Sequence, residues 1–414
     1  MKTSKFVGLQ DMEFNKIEDA ILDIKNGKIV IVADDEDREN EGDLVCAAEK
    51  VTPELINFMS MEGRGLICTP VSSEIARRLG FCPMVESNSE SSGCNFAISV
   101  DYIKGTTTGI SAFDRAKTVK AIIDMKSKPE DFLKPGHTFP LIAKDGGVLV
   151  RAGHTEAATD LAKLAGFKPA AVICEILWID GTMARGENLK RFAKAHNLKI
   201  VSIKDLIKYR TQKEKLIEKK VETEIPTEYG KFKMVVYEDG ISMKQHIALI
   251  KGKIDSKKEM LVRVHSECIT GEIFKSTKCD CGAQLDFAMK KIGKSGGVLL
   301  YLKQEGRGIG LVNKLKAYNL QNKGYDTVEA NKMLGFNDDL REYGIGAQIL
   351  KDIGVKDMIL MTNNPRKIVG LDGFGLKIVK RMPIQIKPTK GNLEYLKTKQ
   401  IKMGHIFSGI FNEN

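Results

Sequence analysis

The sequence predicts two α/β domains, each a mixed sheet packed with helices (α/β with α+β character), joined by a charged linker. Three observations lead there. A chain of 414 residues is too long for one ordinary core. Strand-like apolar runs are intermixed with helical periodicities in both halves. Between the halves, residues 209–224 are charged, short of core residues and followed by Pro226, which marks a boundary. The expected division is 1–208, a linker at 209–224, and 225–414.

Residues 14–26 place Phe14, Ile17, Ile21 and Ile24 on one helical face, and Gly27 ends the helix. An apolar strand at 28–33 then enters the acidic run Asp34-Asp-Glu-Asp-Arg-Glu-Asn-Glu-Gly-Asp43. Further strands are expected at 66–69, 95–100, 147–150 and 171–176, with a helix over 155–165 closed by Gly166. Strand patterning restarts at 233–237, 246–250 and 260–264, followed by helices near 285–292, 311–323 and 342–353. The chain has no internal repeat and no low-complexity segment.

Hydrophobic residues at 42% and charged residues at 29% fit a globular protein. No apolar run approaches the roughly 18 residues that span a bilayer. The first 20 residues lack the apolar core of a signal peptide, so a cytoplasmic location without membrane contact is expected. A net charge of +11 calls for anionic partners. Aromatics are sparse and no nucleic-acid-binding motif is present, which favours small phosphorylated ligands over nucleic acid. Eight scattered cysteines do not make a disulfide framework. Cys46, Cys68 and Cys174 fall in strand-like stretches and read as small buried hydrophobes.

The clustered cysteines are Cys268-x10-Cys279-Asp-Cys281. Three thiolates can close on one Zn²⁺, with nearby Lys278 expected to depress their pKa values. No fourth cysteine follows, which leaves a position for water, the arrangement of catalytic zinc. Spacing alone leaves open three unrelated thiols, or a structural site completed by His265. Downstream, Gln304-Glu-Gly-Arg-Gly-Ile-Gly-Leu311 follows a strand and opens a helix, where backbone N–H groups suit phosphate. A dinucleotide fingerprint with Asp326 as its acid is the alternative there, although the glycine spacing departs from that pattern.

Taken together, Arg263-Val-His-Ser-Glu-Cys-Ile-Thr-Gly, Cys279-Asp-Cys-Gly-Ala-Gln, Gln304-Glu-Gly-Arg-Gly-Ile-Gly-Leu, Gly324-Tyr-Asp-Thr-Val-Glu-Ala-Asn and Thr362-Asn-Asn-Pro-Arg-Lys closely resemble GTP cyclohydrolase II over about 225–406. The resemblance implies opening of the guanine imidazole ring, with loss of C8 as formate and release of pyrophosphate. It implies zinc on Cys268, Cys279 and Cys281, and Mg²⁺ accompanying GTP. Asp339 matches the proton acceptor and Arg341 the proposed nucleophile toward the α-phosphate, although a guanidinium is normally too basic to attack and suits an electrostatic role, with Tyr318 a further catalytic candidate. Arg263, Val264, His265, Ser266, Glu267, Gln284, Glu305, Gly306, Arg307, Thr327, Thr362 and Lys367 match GTP-binding positions. On their own, Asp339 and Arg341 read as a surface ion pair.

In the first half, the acidic run 34–43 ends an apolar strand, where α/β proteins often place active sites, and its oxygens suit Mg²⁺. As a bare charge run it also reads as a solvated loop. His154, in Arg151-Ala-Gly-His-Thr-Glu156, lies at an expected helix start that would welcome phosphate. These stretches, with Pro135-Gly-His-Thr-Phe-Pro140, Thr106-Thr-Thr-Gly-Ile-Ser-Ala-Phe-Asp-Arg115 and Gly166-Phe-Lys-Pro-Ala-Ala-Val-Ile-Cys-Glu175, look like 3,4-dihydroxy-2-butanone-4-phosphate synthase over about 8–208. That family converts ribulose 5-phosphate to a four-carbon phosphate and formate. The resemblance implies Mg²⁺ or Mn²⁺ on Glu39 and His154. Arg38, Glu39, Asp43, Thr108, Arg151, Ala152, Gly153, His154, Thr155 and Glu175 would hold the sugar phosphate. His137 and Glu175 would carry proton transfers, with Cys68 a lesser candidate.

The reading is therefore a bifunctional riboflavin-precursor enzyme, a homodimer by analogy with both families. Its competitors are a chain with one half decayed to a scaffold, and a basic zinc-stabilised nucleic-acid-binding protein.

Overall fold

The computed structural model describes residues 14–35, 38–89, 93–336, 344–364, 374–389, 391–402 and 406–407, the side chains of Arg307 and Glu394 excepted. The chain divides into two units, Met1–Arg210 and Thr211–Asn414.

In the first unit, β1 (Val30–Ala33), β2 (Gly42–Ala47), β3 (Arg64–Val71), β4 (Val100–Tyr102), β5 (Phe132–Ile142), β6 (Ala171–Ile176) and β7 (Ile200–Ser202) form one mixed sheet. Its order is β4-β5-β3-β6-β2-β1-β7. The central strands are buried on both faces, which is why their sequences run apolar instead of alternating. One face, carrying Leu44, Cys46, Val172 and Cys174, packs against helix Ala112–Ile123. The other, carrying Val45, Ala47, Ala171 and Ile173, packs against helices Ile17–Lys25 and His154–Leu164. Side chains two apart on a strand share a face. Asp43 therefore lies on the face of Val45, Glu175 on that of Ile173, and His137 on that of Phe139 and Leu141. All three face the layer that contains helix His154–Leu164.

The second unit repeats the plan with β8 (Ile217–Thr227), β9 (Gly230–Asp239), β10 (Gln245–Lys251), β11 (Met260–Ser266), β12 (Gly297–Leu302), β13 (Asp357–Met361) and β14 (Lys377–Met382). The order is β14-β13-β11-β12-β10-β9-β8, with β12, β11, β13 and β14 mutually parallel. Val262, Val264, Val298 and Leu300 pack against helix Gly344–Asp352. Leu261 and Leu299 pack against helix Cys281–Ser295. Arg263, His265 and Tyr301 share the parity of Leu261 and Leu299, so they point toward the helix that begins at Cys281.

Three expectations differ from what is observed. The stretch at 209–224 is not a free linker: helix Ile203–Lys213 runs into it, and β8 occupies its second part. β8 pairs with β9 at the sheet edge, and its charges stay exposed. Backbone pairing rather than core burial thus makes the strand, and edge charges are the usual protection of such a position. Residues 147–149 form a 3-10 turn instead of a strand. Gly146 and Gly147 both adopt positive φ, and the Val148 N–H donates to Asp160 at 2.8 Å. At 95–100 only single bridges form before β4 begins. The Ala97 N–H reaches the Pro140 carbonyl, but Pro140 has no N–H to return. Among the described residues, no helix is long and apolar enough to cross a membrane.

The β9–β10 turn depends on Asp239, which is buried and accepts from Ser242 Oγ, the Ser242 and Ile241 N–H groups and His246 Nε2. Burial opposes its charge, yet these donors outweigh it and hold its carboxyl well below the usual range. Asp239→Ala should cost about 1–3 kcal/mol in urea unfolding of the full chain at pH 7. Because the folded pKa is depressed, that contribution is present above the ordinary value of 3.8 and is lost as pH falls through the folded value. The gap between wild type and variant should therefore narrow below about pH 4, and a gap that widens in acid would refute this account.

Candidate active sites

In the first unit, β1 ends at Ala33 and Asp34 turns the chain. Asp34 is buried, and its oxygens accept from the Glu41 N–H at 2.8 Å, the Glu39 N–H at 3.2 Å and Arg38 Nη1 at 2.7 Å. That fold of the acidic run aims Glu39 at His154, whose Nδ1 lies 3.7 Å from Glu39 and 4.0 Å from Asp43. The donor atoms of Asp34, Glu39 and His154 lie within 4.8 Å of one another. His154 Nε2 is buried without a hydrogen-bond partner among the described residues. Asp34 is committed to the loop, so Glu39 and His154 are the donors left for a hard cation.

The electrostatics of this cluster are strongly coupled. Burial alone would strip the proton from His154, but Asp43 and Glu39 outweigh it and lift the pKa to about 9. Burial pushes Asp43 up to about 7, against the pull of His154. Its contact with His154 outweighs burial and holds Glu39 below its ordinary value. Asp43 and Glu175 are direct partners across β2 and β6, and Glu175 accepts from the Leu66 N–H at 3.0 Å.

Helix His154–Leu164 starts beside this cluster, and Arg151 crosses its first turn to Glu156 at 2.6 Å. A Cβ at Gly153 would stand 2.3 Å from Arg151 Nη1, so the glycine makes room for that guanidinium. Ala152 is exposed and Thr155 buried at the same turn. His137 sits two strands from Glu175, roughly 10 Å at ordinary strand spacing. Its Nδ1 lies 2.7 Å from Asp101 Oδ2, and its N–H donates to Asp101 Oδ1 at 2.9 Å. Gly109, next to the exposed Thr108, packs on the same pair. The expected residues of this unit thus form two groups, Glu39–Asp43–His154–Glu175 and His137–Thr108. Cys68 is buried in the sheet, where burial pushes its thiol far up.

In the second unit, the parallel strands β11, β12 and β13 end on one side, and a cleft opens beyond their carboxyl ends, as open α/β sheets predict. Its volume of about 1050 Å³, including space open to solvent, suits a nucleotide-sized ligand. Arg263, His265, Ser266, Glu267, Gln284, Glu305, Gly306, Thr327, Thr362 and Tyr318 all line it, together with Cys268 and Cys281. Val264 does not: strand alternation turns its side chain into the opposite core. Asp339, Arg341, Lys367 and the Arg307 side chain lie outside the described residues. Arg263 donates to the Met361 carbonyl at 2.9 Å and to Gln284 Oε1 at 2.7 Å, which fixes the amide at the cleft wall.

The three cysteines converge at the cleft edge, their sulfurs within 4.8 Å of one another. Cys268 and Cys279 are 3.7 Å apart, too far for a disulfide and close to the roughly 3.8 Å that tetrahedral Zn–S bonds of about 2.3 Å impose. The donor set therefore fits zinc. His265 does not complete it, because its Nε2 is 2.8 Å from Glu272 and Tyr301 holds the other Glu272 oxygen. Lys278 is not the cation on sulfur either: its Nζ donates to Asn322 at 2.6 Å. That cation is Lys314, with Nζ 3.1 Å from Cys268 Sγ and 2.8 Å from Glu305 Oε1. Hydrogen bonds from Cys279 and Cys281, then Lys314, hold Cys268 far below an ordinary thiol despite burial, while Cys279 and Cys281 are pushed up.

Sequence reasoning misses Lys314, although Lys314, Tyr318 and Gln321 recur on one face of helix Gly310–Gln321 and Tyr318 is itself a catalytic candidate. It also misses Asp101, and Lys399, whose Nζ reaches the buried Asp280 between two of the cysteines at 3.1 Å. Asp326 caps helix Thr327–Met333 through the Val328 and Glu329 N–H groups, which removes the dinucleotide reading.

Gly271 permits the thiol cluster, since a Cβ there would lie 2.7 Å from Cys279 Sγ. Gly271→Ala should spread the sulfurs and lower the Co²⁺–thiolate absorption per chain by at least about half, with stoichiometry read by titration. An unchanged band would show that the cluster tolerates the methyl group.

Both units resemble known proteins. Family models described as 3,4-dihydroxy-2-butanone 4-phosphate synthase and GTP cyclohydrolase II match residues 18–209 and 218–383. The riboflavin biosynthesis protein RibBA of Endomicrobium trichonymphae is 57% identical over 97% of this chain and 100% of its own. That of Bacillus subtilis is 57% identical over 95% and 99%. The crystal structure of RibBX, a two domain 3,4-dihydroxy-2-butanone 4-phosphate synthase from A. baumannii, matches with a TM-score of 0.69 and 38% identity, over 90% of this chain and 100% of that one. Neither a decayed half nor a nucleic-acid-binding protein is favoured by these matches. The chain belongs to the family of bifunctional riboflavin-biosynthesis enzymes that join a 3,4-dihydroxy-2-butanone 4-phosphate synthase to a GTP cyclohydrolase II.

Proposed function

We propose that both units turn over substrate, each with its own metal and its own phosphorylated ligand. The first converts D-ribulose 5-phosphate to 3,4-dihydroxy-2-butanone 4-phosphate and formate. The second hydrolyses GTP to 2,5-diamino-6-(5-phosphoribosylamino)pyrimidin-4-one, formate and pyrophosphate. The observation that carries the reading is that each unit gathers its own donor set, hard in one and soft in the other.

In the first unit, Mg²⁺ or Mn²⁺ held by Glu39 and His154 would polarise the sugar oxygens and ease enolisation. The N–H groups at the start of helix His154–Leu164, with Arg151 anchored on Glu156, offer the phosphate site. Arg38 and Asp43 border the sugar, Thr155 lies at the helix start, and Glu175 and His137 are the groups assigned proton transfers. Thr108 accompanies His137.

In the second unit, Zn²⁺ held by Cys268, Cys279 and Cys281 would activate the water that attacks guanine C8. Arg263 and Gln284 form a rigid wall of the cleft, and Thr327 and Thr362 border it. Tyr318, whose phenol burial pushes up to about 12, remains protonated at neutral pH and can donate. Asp339 is assigned proton acceptance. Arg341, Arg307 and Lys367 are assigned phosphate contacts, with Arg341 acting electrostatically. Mg²⁺ accompanies the triphosphate. The basic charge serves these phosphorylated ligands, with no nucleic acid involved, in a cytoplasmic homodimer. Exposed apolar side chains such as Met61 and Phe113 support self-association.

Cys279→Ser should lower formate release from GTP by more than about 100-fold, since even groups behind metal ligands are worth 10–100-fold. It should leave formate release from ribulose 5-phosphate within about twofold of wild type, and His154→Ala should do the reverse. Loss of both activities in a folded variant would contradict separate sites.

A further inference from the structure

We propose that Lys314 is a positioning residue of the GTP-opening site, its ammonium donating to the Cys268 sulfur and neutralising the excess negative charge of a three-thiolate zinc site. The inference rests on the zinc reading of Cys268, Cys279 and Cys281. A dication and three thiolates leave one net negative charge, and Glu305, 2.8 Å from the same ammonium, adds another. Among the described residues Lys314 is the lysine that meets both groups, with its side chain only 11% exposed.

The placement is built from several elements. Lys314 lies one turn before Tyr318 on helix Gly310–Gln321 and reaches back under the turn after β12. Glu305, in that turn, accepts from Lys314 on Oε1 and from the Ile269 N–H at 2.7 Å on Oε2. Ile269 directly follows Cys268, so one carboxylate ties the backbone beside the first cysteine while the ammonium ties its sulfur at 3.1 Å. The Tyr318 ring, centred 5.8 Å from the Lys314 Nζ, covers another side. Lys278 is no substitute, because its ammonium is engaged by Asn322.

Two consequences follow from the chemistry. A thiolate that accepts an N–H···S bond donates less charge to its metal, so the metal keeps more Lewis acidity for its open position. Removing the ammonium also frees the Cys268 sulfur and the Glu305 carboxylate that ties the backbone beside it, and losing such an outer contact typically costs metal affinity.

The test uses the full chain as wild type, Lys314→Met and Lys314→Arg, with Zn²⁺ competed by a chromophoric chelator and Co²⁺ as a spectroscopic probe. Wild type should bind one Zn²⁺ per chain at the cysteines. Lys314→Met should bind it about 10–100-fold more weakly and move the sulfur-to-cobalt charge-transfer band to longer wavelength. Lys314→Arg should recover part of both, and formate release from ribulose 5-phosphate should be unchanged in all three. A Lys314→Met chain with wild-type zinc affinity and an unshifted band overturns the role of Lys314 while leaving the zinc site standing. A wild-type chain whose cysteines take no zinc overturns the zinc reading itself.

Discussion

Three sulfurs held within 4.8 Å of one another cannot all ionise unless a cation sits among them. Hydrogen bonds from Cys279 and Cys281, with Lys314 beside them, hold Cys268 far below an ordinary thiol, and the same crowding pushes its two neighbours up. The first unit meets the same constraint in oxygen chemistry: Asp43, Glu39 and Asp34 crowd His154, which burial alone would neutralise but which they keep charged. The proposed divalent ions would answer one constraint in both clusters. Each concentrates negative donors faster than its protein cations can balance them. The local architecture follows, from Gly271 clearing space beside Cys279 to Asp34 folding the acidic run onto His154.

Strand parity delivers these residues. In the first unit it places Asp43, Glu175 and His137 on the face that helix His154–Leu164 covers, with Asp43 and Glu175 paired beside one another and His137 two strands away. In the second, it aims Arg263 and His265 at the helix that Cys281 begins, and sends Val264 to the other core. Parallel pairing of β11, β12 and β13 then stacks their carboxyl ends beside a common cleft. Both units gather chemistry from short motifs far apart in sequence, through the same two-residue period that builds their cores.

Much of this is legible in the sequence because the motifs are local. The cysteine spacing, the turn from Gln304 and the helix start at His154 each carry their own physical signal, and the strands at 171–176 and 260–266 announce themselves by apolar runs. Strand order is not written locally, so the pairing of Asp43 with Glu175 and the separation of His137 from them emerge only from the sheet. Lys314 was hidden because a lysine inside a helix reads as solvated. Its burial depends on Glu305 and Cys268 arriving from other segments. The edge strand at 217–227 escaped notice for the opposite reason, since its charges conceal a backbone ladder.

The central claim is that one chain holds a soft and a hard metal site in separate units. Anomalous X-ray scattering from crystals grown with Zn²⁺ and Mn²⁺, recorded at each metal's absorption edge, tests it most directly. The account predicts a zinc peak among Cys268, Cys279 and Cys281 and a manganese peak between Glu39 and His154. Zinc absent from the cysteines, or manganese absent from His154 at saturating concentration, would contradict it.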